Sequence, residues 1–259
     1  MQYVSLPSVD QDQTSLTIFP CQGEPRAVLI WIHGGGWVKG DRRRVRRMPA
    51  FFGDQQILFV SVNYPLTASD EIALIDQQIM ALQGLDQWLK ENSQKDLYPH
   101  AFSNITILAH SSGAHLVALM DKRYGWNESV KSLILMDSGA YDMSARFEHA
   151  RPAQKRLFAQ ISRLDLYPTN QHSAILRSYS PALLPSRPRS HQSLNVIIVS
   201  SQRPGALFSA RRLMQSYSAD QYHCSLHQYA WDHELFPDAV GVDSSLNALI
   251  LEAVFSPHD

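Results

Sequence analysis

The stretch Ala109-His110-Ser111-Ser112-Gly113-Ala114-His115-Leu116 decides the reading of this chain. Ahead of it, NITIL (Asn104 to Leu108) is short, apolar and partly β-branched, the mark of a buried strand. Behind it, HLVALMDKRY is rich in Ala and Leu, the mark of a helix. A serine at a strand-to-helix junction, with glycine two positions on, has the pattern of a nucleophile elbow. Such a turn lifts a hydroxyl above the sheet edge and aims the unpaired N–H groups of the helix start at any anion forming there. Ser111 is the candidate nucleophile, and Ser112 supplies the following backbone N–H. Ala109 stands where a first glycine is usual, the mildest replacement in a crowded turn. The same residues also read as an ordinary helix N-cap, so the rest of the chain has to decide.

Toward the N-terminus, AVLIWI (Ala27 to Ile32) is a continuous apolar run, as expected for a strand buried on both faces. It ends in HGGGW, His33 to Trp37. The run is neither G-x-G-x-x-G nor a P-loop. Free N–H groups beside a strand end are suited to binding an oxyanion; the alternative is a tight glycine turn. Next comes GDRRRVRRMPAFF with five arginines, Arg42, Arg43, Arg44, Arg46 and Arg47. They read either as a solvated helix face or as a cationic rim for an acidic substrate or acidic carrier protein. Before Ala27, YVSLPSV and SLTIFP flank a polar DQDQ turn, which predicts an antiparallel hairpin.

ILFVSVNY (Ile57 to Tyr64) reads as another buried strand, closed by Pro65. From Ser69 to Asn92, Ile72, Ile75, Ile79, Leu82, Leu85 and Leu89 recur at helical spacing. DLYPHAFS reads as a loop, and Ser132 to Met136 as a strand ending at Asp137. The segment 144–192 is rich in Arg, Ser, Pro and His and too polar for its own core, so it reads as a cap or substrate-facing insertion. LNVIIVS, a helix around Leu207 to Tyr217, the strand CSLHQYA, the loop WDHELFP and the helix SSLNALILEAVF follow. Strand and helix alternate, which predicts a mostly parallel twisted sheet with helices on both faces. The whole chain, 1–259, reads as a single domain.

Composition narrows the function. Hydrophobic content of 44% with 18% charged residues is that of a globular enzyme, and a net charge of -1 gives no basic field for nucleic acid. The N-terminus lacks a basic region followed by an apolar core, and no apolar run is long enough to cross a bilayer. Cys21 and Cys224 are too few for a disulfide framework, so a cytoplasmic protein with reduced thiols is expected. His223 and His227 share a strand face, but no Cys or carboxylate cluster accompanies them, and no metal or organic cofactor is implied.

With HGGGW, HSSGAH, SGAYD, YSP and DHELF in this order, the chain resembles the α/β-hydrolase superfamily. More narrowly it resembles HGGGW-type and feruloyl-esterase-like esterases and the kynurenine formamidase (arylformamidase) relatives. That resemblance implies Ser111 as nucleophile, His233 as general base, and the backbone N–H groups of Gly35, Gly36 and Ser112 as the oxyanion hole. It implies a carboxylesterase acting on a small ester, with an arylformamidase as alternative; the charge of the arginine cluster alone adds a carrier-protein-linked ester as another. The order nucleophile, acid, histidine agrees. His33 is expected to brace the glycine loop, and His115 lies one turn from Ser111.

The acid is the departure. The family's aspartate usually follows the strand that here reads NVIIVS, yet no Asp or Glu occurs between Leu194 and Ala219, and Arg203 stands near the expected position. Without an acid the imidazole tautomer is unfixed, at a cost of about 10⁴ in kcat. Three explanations remain open: an acid relocated one strand earlier, a Ser–His dyad, or a degenerate hydrolase that binds without turnover. For the relocated acid Asp137 comes first and Asp142 second, since Asp142 more naturally caps a turn; Asp232 adjoins His233 in sequence and is the poorest choice. Pro65 is a further departure, standing where relatives tend to have Arg.

Overall fold

The apolar runs line up as the middle of one sheet. The computed structural model describes residues 2–5, 15–67, 72–93, 98–185, 194–219 and 222–255. Its strands are β1 (Gln2–Ser5), β2 (Ser15–Phe19), β3 (Ala27–Ile32), β4 (Ile57–Val62), β5 (Ile105–His110), β6 (Val130–Met136), β7 (Asn195–Ser201) and β8 (His223–Tyr229). They lie in the order β1-β2-β4-β3-β5-β6-β7-β8. From β4 across to β8 every pairing is parallel, whereas β1–β2 and β2–β4 are antiparallel. The expected N-terminal hairpin forms, with Tyr3 opposite Thr17; its DQDQ turn lies outside the described residues.

Period-two alternation explains why the central strands have no polar face. In β3, Val28, Ile30 and Ile32 join a core with α2 (Leu74–Ser93) and α4 (Ser112–Tyr124). Ala27, Leu29 and Trp31 join a second core on the other face, with α1 (Met48–Asp54) and α10 (Ser244–Phe255). β6 divides likewise, Leu133 and Leu135 to the first core and Ile134 and Met136 to the second.

Three expectations are corrected. The helix read from Ser69 begins at Leu74; Ile72 lies ahead of it and is exposed, and residues 68–71 lie outside those described. Within DLYPHAFS, read as a loop, Pro99–Phe102 forms the short helix α3, entered through Tyr98 in the left-handed region at φ 57°. Proline at a first helical turn is favourable, because its missing N–H would be unpaired there anyway. The helix placed around Leu207 to Tyr217 is longer, α8 (Pro204–Ala219), again opened by a proline.

The segment 144–192, whose residues 186–192 lie outside those described, contributes α5 (which begins at Met143 and ends at Glu148), α6 (Pro152–Ile161) and α7 (His172–Ser178). Phe158, Ile161, Leu164, Leu176 and Tyr179 from it are buried in the same core as α2 and α4. Arg123 of α4 fastens it by bonding both Asp76 and the Ser178 carbonyl, while the Tyr179 hydroxyl donates to Asp76. Among the described residues, no helix is long and apolar enough to cross a membrane. Both cysteines are free thiols.

Candidate active site

Ser111 sits between β5 and α4 at φ 55°, ψ −120°, a backbone conformation that costs energy for any residue but glycine. Its hydroxyl makes no helix-capping bond, which removes the N-cap reading. Ser111 Oγ lies 3.0 Å from His233 Nε2 instead. The turn is possible because Gly113 passes against the end of β3: a Cβ there would lie 2.4 Å from the His33 carbonyl oxygen and 2.6 Å from that of Ile32. Gly34 is equally constrained, since its Cβ would meet His110 Nδ1 at 2.8 Å. The glycine loop and the elbow are therefore packed backbone to backbone.

His233 stands at the start of a short 3₁₀ turn (His233–Leu235) after β8, just ahead of α9 (Phe236–Ala239). Its Nδ1 lies 2.7 Å from Oδ2 of Asp137, the residue directly after β6. Asp137 is 1% exposed and holds φ 49°, so a second strained residue ends a neighbouring strand. Pairing of Met136 with Val199 sets it beside the end of β7. There the Ser201 N–H donates to Oδ1 at 2.8 Å. Burial alone would raise this carboxyl's pKa, but the hydrogen bonds from His233 and Ser201, with the Arg203 charge, outweigh it and hold the group well below the usual carboxylate range.

Arg203 shows what has happened at the customary acid position. Its Nη2 lies 2.6 Å from Asp137 Oδ2 and 2.8 Å from His233 Nδ1, and its Nε donates to Ser201 Oγ at 3.1 Å. A guanidinium only donates. Asp137 Oδ2 is therefore the acceptor shared by Arg203 and the Nδ1–H of His233. The charge expected after β7 is inverted, and the carboxylate reaches the imidazole from the adjacent strand.

Asp142, the second choice for the acid, is not at the imidazole. It caps α5 by accepting from the Ala145 N–H at 3.0 Å, and it pairs with Arg212. Asp232 precedes the turn and accepts the Leu235 N–H through its backbone carbonyl. Gly35 and Gly36 line a cavity of about 400 Å³ together with Ser111 and His233. Ser112 opens α4. Among the described residues, no acceptor takes the backbone N–H of any of these three.

His33 bonds the Gly34 carbonyl through Nδ1 at 2.9 Å and stacks on Tyr64, bracing the loop. His115 Nδ1 accepts from Trp37 Nε1, which leaves its Nε2–H to donate to the Tyr179 carbonyl at 2.8 Å. His110 was not singled out by the sequence, yet its Nε2 lies 2.9 Å from the His233 carbonyl oxygen and its ring packs on the His233 ring. It anchors the histidine loop to the elbow strand. The only available signal was its position next to Ser111.

Burial, reinforced by the His233 charge, pushes the His110 pKa down to about 3, and burial pushes that of His115 down to about 4. Free imidazoles titrate near about 6.5. Below that pH the unfolded chain binds more protons than the folded one, so stability falls as pH falls until the folded-state values are passed. At about pH 5 each residue should remove about 2 kcal/mol. Thermal unfolding should show a clear drop in Tm between pH 7.5 and pH 5, and a flat profile would contradict the neutral burial of both rings.

Of the five arginines, only Arg44 and Arg46 line the cavity, joined by Lys39, which the sequence reading passed over. Arg42 bonds Asn63 through its backbone N–H and Thr17 through its side chain, and Arg43 is paired with Asp41. Among the described residues, no group of three or more His, Cys, Asp or Glu is arranged to hold a metal ion. No described residue of 144–192 lines the cavity.

A family model described as BD-FAE matches residues 17–148, just over half of the chain. No curated protein matches the sequence. Among solved structures, Thermogutta terrifontis esterase 2 phosphonylated by sarin aligns with a TM-score of 0.72 at 13% identity, over 99% of this chain and 96% of that one. The same esterase with propionate bound gives 0.69 at 13% identity, over 100% and 96%. A hyperthermophilic esterase from Pyrobaculum calidifontis gives 0.69 at 14% identity, over 97% and 83%. At these identities the likeness is one of fold.

Proposed function

Because the chain belongs to the BD-FAE family, a family of α/β-hydrolase-type esterases, we propose that it is a serine carboxylesterase that cleaves small carboxylic esters through an acyl-enzyme on Ser111. The observation that carries this reading is the unbroken line of contacts from Ser111 Oγ through both nitrogens of His233 to Asp137 Oδ2. His233 Nε2 takes the hydroxyl proton as Ser111 attacks the ester carbonyl. The backbone N–H groups of Gly35, Gly36 and Ser112 receive the tetrahedral oxyanion. His233 then returns the proton to the departing alkoxide, releasing the alcohol. Water, deprotonated by the same nitrogen, attacks the acyl-enzyme, and His233 passes that proton to Ser111 Oγ as the acid leaves. Asp137 keeps the proton on Nδ1 and stabilises the transient imidazolium.

The binding-only alternative rested on a missing acid, and the contact between Asp137 and His233 takes that ground away. An arylformamidase would use the same groups, but among the described residues Trp31 is the only Trp, Tyr or Phe that lines the cavity. The free thiols of Cys21 and Cys224 support a cytoplasmic location. A fluorophosphonate probe tests the reading: the expected adduct is on the peptide holding Ser111, and folded protein without an adduct would contradict it.

A further inference from the structure

The chemical character of the cavity at Ser111 points to a narrower substrate. Pockets for small organic ligands are lined mainly by hydrophobic side chains. Among the described residues, Trp31 and Pro237 are the only apolar side chains that line it, set among glycine backbone, imidazoles and charged groups. Such a wall offers little to a fatty acyl chain.

The charges do not cancel. Asp41 is fully engaged by Arg43, whose Nε and Nη2 meet its two oxygens at 2.9 and 2.8 Å. Arg46 is offset by Asp238 at 3.1 Å. Lys39 and Arg44 have no ion-pair partner among the described residues, and both side chains are exposed to the cavity mouth. Glu234, next to His233, is the carboxylate left to oppose them. Both free cations belong to the glycine-loop side. The Lys39 N–H bonds the Gly35 carbonyl at 3.1 Å, and Arg44 lines the cavity together with His33 and the three glycines.

Resting on the esterase reading of this same site, we propose that the preferred substrate is a short ester carrying a free carboxylate, held by Lys39 and Arg44 beside the oxyanion hole. A half-ester of a short dicarboxylic acid is the simplest member of this class. The cations attract the anion to the cavity mouth, an effect that salt screens.

The test compares monoethyl succinate with ethyl butyrate, each rate normalised to the ester's own hydroxide-catalysed hydrolysis. The expected kcat/KM for the half-ester is about tenfold higher at low salt. The excess should shrink on adding salt and collapse in Lys39→Gln/Arg44→Gln, while Arg211→Gln, on α8 and outside the cavity lining, keeps it. Equal or better use of ethyl butyrate, or an excess that survives in the double variant, would overturn the proposal. Should the wild type cleave neither ester, the esterase reading fails, and calorimetry on Ser111→Ala still decides the anion site. Binding of monoethyl succinate that weakens in the Lys39→Gln/Arg44→Gln background upholds it; binding no tighter than that of ethyl butyrate overturns it.

Discussion

Replacing Asp137 by Asn is expected to lower kcat for p-nitrophenyl butyrate by about 10⁴, with KM nearly unchanged and the fold retained. The Ser201 N–H fixes the carbonyl end of the new amide, because it already donates to Oδ1. The NH₂ group then replaces Oδ2 and faces both Nδ1 of His233 and Nη2 of Arg203, which lie 2.7 and 2.6 Å from that atom. Donor meets donor. His233 escapes the conflict by placing its proton on Nε2, and Nε2 can then no longer accept from Ser111. The loss falls on kcat and kcat/KM alike, the signature of a group needed in the transition state. Asp142→Asn is the matched control: its carboxylate caps α5 and pairs with Arg212, so stability should fall while the per-molecule rate persists. A rate for Asp137→Asn equal to that of the wild type would refute the relocated acid.

Ser111, the glycine loop and the presence of the central strands were legible in the sequence because each is a local property, although β5, read as Asn104 to Leu108, runs to His110, and β6, read from Ser132, begins at Val130. A buried strand followed by small residues and an Ala- and Leu-rich helix needs no knowledge of distant neighbours. β3 and α10 match their expected limits, Ala27–Ile32 and Ser244–Phe255. Asp137 was legible only as a candidate. Its contact with His233 requires β6 and β7 to pair, so that the end of one strand comes beside the end of the other.

What stayed hidden depends on partners far along the chain. His110 acts on a backbone carbonyl 123 residues away, and nothing in AHSSG distinguishes that role from packing. The arginine run gave a charge density without direction. Turns through Arg42 to Arg47 send some side chains toward Thr17 and Asp41 and others toward the cavity. The segment 144–192 reads as a cap or substrate-facing insertion because it is polar, yet its few apolar side chains complete the core shared by α2 and α4, and none of its described residues lines the cavity.

The hydroxyl of Ser111 is the one group that no other residue in the cavity can replace. His233 would still be present in Ser111→Ala, held by Asp137 and by His110, and alanine tolerates the elbow backbone no worse than serine. Removing the nucleophile of a serine hydrolase costs about 10⁶ in kcat, as much as removing the whole triad. The measurement to make is the hydrolysis of p-nitrophenyl acetate and p-nitrophenyl butyrate by the wild type and by Ser111→Ala, at matched folding by thermal unfolding. Turnover by the wild type with the variant at background is the result expected of an acyl-enzyme on Ser111. Equal hydrolysis by both proteins, or none by either, would contradict it.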